Sequence, residues 1–246
     1  MYEFVMTLLA LLSMLGAAFL GLFSKTKQSL EHLREDTNRI VILVANVFVV
    51  MTSLVLGLML NSAKNTLETN NRNVRVLATE IILLDRTMRA LGPEVEDVHR
   101  HLVEYLKTSL KEDNILKENP EAEASLELAG TELRAIRVSD EQKVALWSDV
   151  RQLYRQVVRQ RWIVLDASSA SIPTSLAVML ILWLAIIFAS FGFRAPRNTP
   201  VMISFCLAAL VISATIYLIL DMDTASTGMI QVSNAPIQRA LAQLQR

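Results

Sequence analysis

The stretch IVILVANVFVVMTSLVLGLML, Ile40 to Leu60, carries no charge along its whole length. A helix rises about 1.5 Å per residue, so about 20 residues match a hydrocarbon core about 30 Å thick. Lipid admits only helices and closed barrels, and this run lacks the alternation of a barrel strand. It is read as a transmembrane helix. The chain does not break where the apolar run ends. NSAKNTLETNNRNVRVLATEIILLDRTMRAL, residues 61–91, contains neither Pro nor Gly. Val76, Leu77, Ile81, Leu84, Met88 and Leu91 keep helical spacing. One long helix is therefore expected to leave the membrane and to stop at Gly92-Pro93.

Three further uncharged runs repeat the pattern: Phe4 to Phe23, Leu176 to Phe193 and Val201 to Leu220. Each is about 18 to 20 residues long, the length of a span. The first is too long for a secretory h-region. Glu3 precedes it and Lys25 and Lys27 follow it, the reverse of a signal peptide, so it is read as a retained helix. The expected fold is an all-α membrane protein with four transmembrane helices in two hairpins, 1–60 and 172–222. A helical extramembrane domain, 61–171, lies between helices 2 and 3, and 223–246 form a C-terminal tail.

Small residues suggest where helices approach. Ser13, Ala17 and Gly21 are spaced by four, as are Ala209 with Ser213 and Ser204 with Ala208. In the middle domain an amphipathic helix fits 94–117, Asn119-Pro120 is a turn, and a shorter helix fits about 122–136. Ser139 with Gln142 resembles a capping box opening a helix from 140 to about 170. Pro173 suits the first turn of the third span.

Charge excludes some functions and orients the chain. The 24 basic and 24 acidic residues cancel. The 61–171 segment has 16 basic and 18 acidic residues, a net charge of −2, so no nucleic-acid partner is expected. The short loops carry Lys25, Lys27, Arg34 and Arg39, then Arg194 and Arg197. The positive-inside rule places both loops in the cytoplasm, with the termini and 61–171 outside. Cys206, the only cysteine, precludes an intrachain disulfide.

The residues give no catalytic constellation: no nucleophile elbow, phosphate loop or HExxH motif. No enzyme activity, metal or cofactor is expected. His99 and His101 stand two apart, a poor metal pair on a helix, and read as surface histidines. Asp221 and Asp223 are candidates for cation binding at the membrane edge, or form the polar boundary that ends a span. The second span is more informative. At 100° per residue, Arg39, Asn46, Val50, Ser53, Gly57, Asn61 and Lys64 fall on one stripe within roughly 40° of its centre. Val44, Phe48, Val55 and Met59 lie opposite. Such a stripe faces protein or water rather than lipid. It fits either a pore with basic mouths or a helix–helix interface joined by Asn46 and Ser53.

The C-terminal third favours the pore. FGFRAPRN (Phe191 to Asn198), LILDMD (Leu218 to Asp223) and GMIQVSNAPIQRAL (Gly228 to Leu241) resemble the bestrophin-like family of bacterial membrane proteins. LATEIILLDRTMRALGPE, after the second span, and Tyr105 are similar to that family's pattern. The family usually shows Pro-Phe between Asp223 and Gly228, where Ala225 and Ser226 stand here. The resemblance implies a bacterial inner-membrane protein, distantly similar to bestrophins, which are pentameric anion channels with the pore neck on their second span. It also implies a cytoplasmic helical domain, opposite to the charge count, which is kept here because it rests on this sequence. The expectation is a homo-oligomeric channel for small inorganic anions, lined by the second helix. The alternatives are a non-conducting membrane scaffold or assembly factor, or a sensor whose extramembrane helices bind a ligand or partner.

Overall fold

A computed structural model describes residues 2–24, 35–111, 115–137, 141–167, 172–224 and 229–246. Most of those residues are helical and none lies in a strand. Four helices are long and apolar enough to cross a membrane: α1 (Tyr2–Phe23), α2 (Glu35–Arg89), α6 (Thr174–Arg194) and α7 (Thr199–Asp223). Between α2 and α6 come α3 (Glu96–Ser109), α4 (Pro120–Ala135) and α5 (Glu141–Asp166), and α8 (Ala235–Leu244) closes the chain. The expected capping Ser139 and the departures at Ala225 and Ser226 lie outside the described residues, as do Lys25, Lys27 and Arg34.

α2 runs unbroken from Glu35 to Arg89: it holds no proline, and its one glycine, Gly57, costs only about 1 kcal/mol against alanine. It ends where the Leu91 N–H turns back to Met88 O at 2.8 Å. Gly92 then adopts φ 103°, a left-handed conformation that favours glycine, and Pro93 starts a single 3-10 turn, Pro93–Val95.

The described residues divide into two compact units, 1–65 with 171–223 and 66–170 with 224–246. In the first, α1 packs on α6 and α7. Its buried line is Ala10, Met14, Ala18 and Leu22. The expected line Ser13–Ala17–Gly21 lies beside it and is only half-buried. Gly21 still marks the closest approach: a Cβ there would stand 2.5 Å from Ala189 O and 2.8 Å from Phe193 N on α6. Gly192 answers from α6, with Ala18 backbone carbons 2.9 and 3.0 Å from where its Cβ would sit. On α7, Ala209 and Ser213 face inward, while Ser204 and Ala208 face out.

The APRN stretch closes this unit. Arg197 Nε donates to Leu22 O at 3.0 Å and Nη2 to Phe23 O at 3.1 Å, and its guanidinium lies 5.6 Å from the Phe23 ring centre. It thus caps the last carbonyls of α1. Asn198 Oδ1 accepts from Val201 N at 3.3 Å at the start of α7.

The second unit has its own core, in which Leu77, Ile81, Leu84 and Met88 of α2 meet Leu102, Tyr105 and Leu106 of α3. α3 ends at Ser109, short of the 117 expected. The Lys111 N–H bonds Thr108 O at 3.2 Å, and the Asn119 amide caps the same carbonyl at 3.2 Å. Asn119 Oδ1 also accepts from Glu121 N and Ala122 N at 3.1 and 3.2 Å, so one side chain ends α3 and starts α4. Arg161 of α5 is 2% exposed. Its Nε donates to Glu123 Oε1 at 2.7 Å, Nη1 to Ile115 O at 2.7 Å and Nη2 to Lys117 O at 3.2 Å. The region expected to be a tail carries α8, whose Ile237, Ala240 and Leu244 join this core.

Candidate functional site

On a helix every residue advances by about 100°, so a line buried on one side leaves the other unsupported. The membrane part of α2 buries Ala45, Thr52, Met59 and Ala63. That line stands about 130° around the helix from the polar stripe. Asn46, Val50, Ser53, Gly57, Asn61 and Lys64 are all exposed, Val50 by 69%. Arg39 lies in the first turns of the same helix, with its side chain outside the described part of the structure. Of the residues expected opposite, Met59 is buried, Phe48 and Val55 are half-buried, and Val44 is exposed. Among the four spans, α2 has the smallest buried share. Nothing within 4 Å would meet a Cβ on Gly57.

Two hydroxyls on α2 are already engaged. Thr52 Oγ1 donates to Phe48 O at 2.7 Å and Ser53 Oγ to Val49 O at 2.9 Å, each bonding back one turn along its own helix. With their protons turned inward, they border an apolar recess of about 330 Å³, lined also by Leu184, Phe188, Phe205 and Ile212. Of the two polar residues expected to join helices through this stripe, Asn46 is exposed. The Ser53 hydroxyl must rotate to donate.

The remaining candidates sit elsewhere. Asp221 and Asp223 are buried at the end of α7. Asp223 Oδ2 accepts the Ile172 N–H at 2.9 Å, which ties the entrance of α6 to the end of α7. Asp221 is also engaged within the chain. His99, expected at the surface, is half-buried, and its Nδ1 lies 2.7 Å from Asp85 Oδ1. Asp85 also takes Arg89 Nε at 3.0 Å, and Arg89 Nη2 caps α8 at Leu244 O, 2.8 Å away. The i,i+4 spacing of Asp85 and Arg89 was visible in the sequence; the long-range partners were not. These groups line an open recess of about 710 Å³ in the second unit, where Glu96 and Glu104 stand among Arg100, Lys107 and Arg246. Mixed signs give it no directed field. Among the described residues, no three His, Cys, Asp or Glu side chains are grouped to hold a metal.

Comparison with known proteins places this architecture. No curated protein matches the sequence. Among solved structures, one point variant of a bacterial bestrophin homologue from Klebsiella pneumoniae aligns with a TM-score of 0.68 at 12% identity, covering 100% of both chains. A second variant of that homologue aligns at 0.64 and 15% identity, over 99% of this chain and 98% of that one. A structure described only as a membrane protein aligns at 0.66 and 13% identity, over 99% and 97%. At such identities the likeness is one of fold. The family model for a bestrophin-like domain matches residues 14–237, nearly the whole sequence, and the chain belongs to the bestrophin-like family.

Proposed function

We propose that the chain is one subunit of a homo-oligomeric channel for small inorganic anions, with α2 lining the pore. The observation that carries this reading is the exposed stripe of Asn46, Ser53, Gly57 and Asn61 on a membrane helix whose buried line lies elsewhere. Polar side chains facing hydrocarbon are costly, so the stripe calls for water or for other copies of itself. Closed cyclic symmetry supplies both. Five copies is the number the family resemblance implies.

Asn46 and Lys64 are separated by about 27 Å along the helix, and Arg39 lies about 10 Å beyond Asn46. Basic residues then stand at both mouths, where they raise the local anion concentration over about 8 Å at physiological salt. Val50 supplies an apolar ring that gates by dewetting, and the Asn46 amide donates to a partly dehydrated anion. The charge count orients the subunit in the bacterial inner membrane with its loops inside and its termini and 61–171 outside.

The test of assembly is a Ser53→Cys substitution in a Cys206→Ser background. Mild oxidation should cross-link neighbouring subunits, and Val50→Ala should enlarge the current. A monodisperse monomer in mild detergent and in lipid would contradict the proposal and leave the scaffold or sensor.

A further inference from the structure

α5 is the last extramembrane helix before the chain re-enters the apolar spans, and its final turns have an unusual surface. Trp162 is 64% exposed and Ile163 42% exposed. Arg155 and Arg159 are exposed too. Positions 155, 159 and 162 follow i, i+4, i+7 and share one face, with Ile163 at its edge. Neither arginine forms an ion pair among the described residues. The carboxylate that feels Arg159 is Glu80 on α2, where burial pushes the carboxyl up and the guanidinium pulls it partly back. Asp166, on the same face, is engaged within the chain.

A short stretch of chain joins the end of α5 to the entrance of α6. Ile172 is held to the end of α7 by Asp223. Only residues 167–171 separate it from Asp166, so the end of α5 is tethered within roughly 20 Å of that point even when fully extended. A tryptophan with a large apolar body and one polar N–H belongs at a lipid–water boundary. Arg155 lies about 10 Å along the helix from Trp162, about one Debye length at 0.1 M salt.

We propose that Arg155, Arg159, Trp162 and Ile163 form a docking face for anionic phospholipid headgroups of the membrane that α6 enters. Trp162 and Ile163 rest at the acyl boundary, and the two arginines bind phosphate above them. The charge complementarity selects anionic lipid. A basic residue held near an anionic leaflet contributes about 1 kcal/mol, roughly a fivefold shift in the docked population for each arginine. This face is independent of whether α2 conducts.

The experiment uses the full chain in nanodiscs, with Trp147→Phe and Trp183→Phe leaving Trp162 as the sole tryptophan. Lipids brominated near the headgroup end of their chains should quench Trp162 at least twofold when anionic lipid is present. Arg155→Gln with Arg159→Gln should largely remove that dependence on anionic lipid. Should the double tryptophan replacement fail to fold, 5-fluorotryptophan in the natural sequence gives the same reading. Its Trp162 resonance, identified by loss in Trp162→Tyr, should broaden with lipid-anchored gadolinium and not with equal soluble gadolinium. Absence of quenching and broadening overturns the proposal. So does quenching equal in zwitterionic lipid and indifferent to the arginines. A blue-shifted, unquenched Trp162 that follows subunit concentration would assign the face to a second copy and overturn it as well.

Discussion

Gly21→Ala isolates the packing of α1 on α6. The added Cβ would lie 2.5 Å from Ala189 O and 2.8 Å from Phe193 N, both backbone atoms of a helix. Ordinary contact begins at 3.4 Å, so the helices must part by up to about 0.9 Å. A gap of 0.5–1 Å forfeits a quarter to a half of each contact it opens. Overpacking of this kind costs about 3 kcal/mol at the upper end of its usual range. Alanine recovers about 1 kcal/mol over glycine in a helix. The net loss is about 2 kcal/mol, roughly thirtyfold in the folded-to-unfolded ratio. Gly57→Ala makes the same chemical change where no atom lies within 4 Å. It should leave subunit folding intact and weaken assembly, since Gly57 faces neighbouring copies in the proposed oligomer. Steric trapping in bicelles measures the first quantity, and native mass determination the second. A Gly21→Ala subunit as stable as the parent, or a Gly57→Ala subunit that unfolds as readily as Gly21→Ala, would refute the reasoning.

Three other perturbations follow from the same geometry. Arg161→Leu strands the buried Ile115 carbonyl and removes the partner of Glu123 and of the Lys117 carbonyl, which water partly reaches; it should destabilise the second unit by about 2 kcal/mol, seen as lost hydrogen-exchange protection in α3 to α5. The Tyr105 hydroxyl is buried beside Ser109 without a hydrogen bond of ordinary geometry, and burial pushes its pKa up to about 12. Its neutral form is favoured on folding, so stability should fall between pH 10 and about 12, by no more than about 1.4 kcal/mol per pH unit; Tyr105→Phe should be at least as stable as the parent below pH 10 and lose that slope. A cysteine at Glu118, in the Cys206→Ser background, should react with an impermeant reagent on intact cells; labelling only after lysis would reverse the orientation drawn from the loop charges.

The spans were legible because a membrane demands about 20 uncharged residues, and α2's length because neither Pro nor Gly interrupts 61–91. The end of α3 was not, since Leu106 and Leu110 keep helical spacing across a turn that Asn119 imposes from outside the helix. α8 escaped notice because it is short and its apolar residues make sense only against a core elsewhere in the chain. On α1 the small residues marked the close approach at Gly21, but the buried line runs one position over: sequence shows which residues are small, whereas burial of Met14 and Leu22 depends on what α6 and α7 present. For the candidate site, helical periodicity collected the stripe, and α2 exposes Asn46, Val50, Ser53, Gly57, Asn61 and Lys64. Periodicity could not foresee that the Ser53 hydroxyl bonds back to Val49, because that is a choice of rotamer.

The measurement that bears most directly on the central claim is the reversal potential of the purified protein in planar bilayers under a chloride gradient. The current should reverse toward the chloride equilibrium potential, grow in Val50→Ala, and reverse further from it in Lys64→Glu, more at low salt than at high. No current from the natural sequence or from Val50→Ala, across several pH values and voltages, would contradict the pore. A cation-selective reversal would keep the pore, remove the role given to Arg39 and Lys64, and return attention to Asp221 and Asp223.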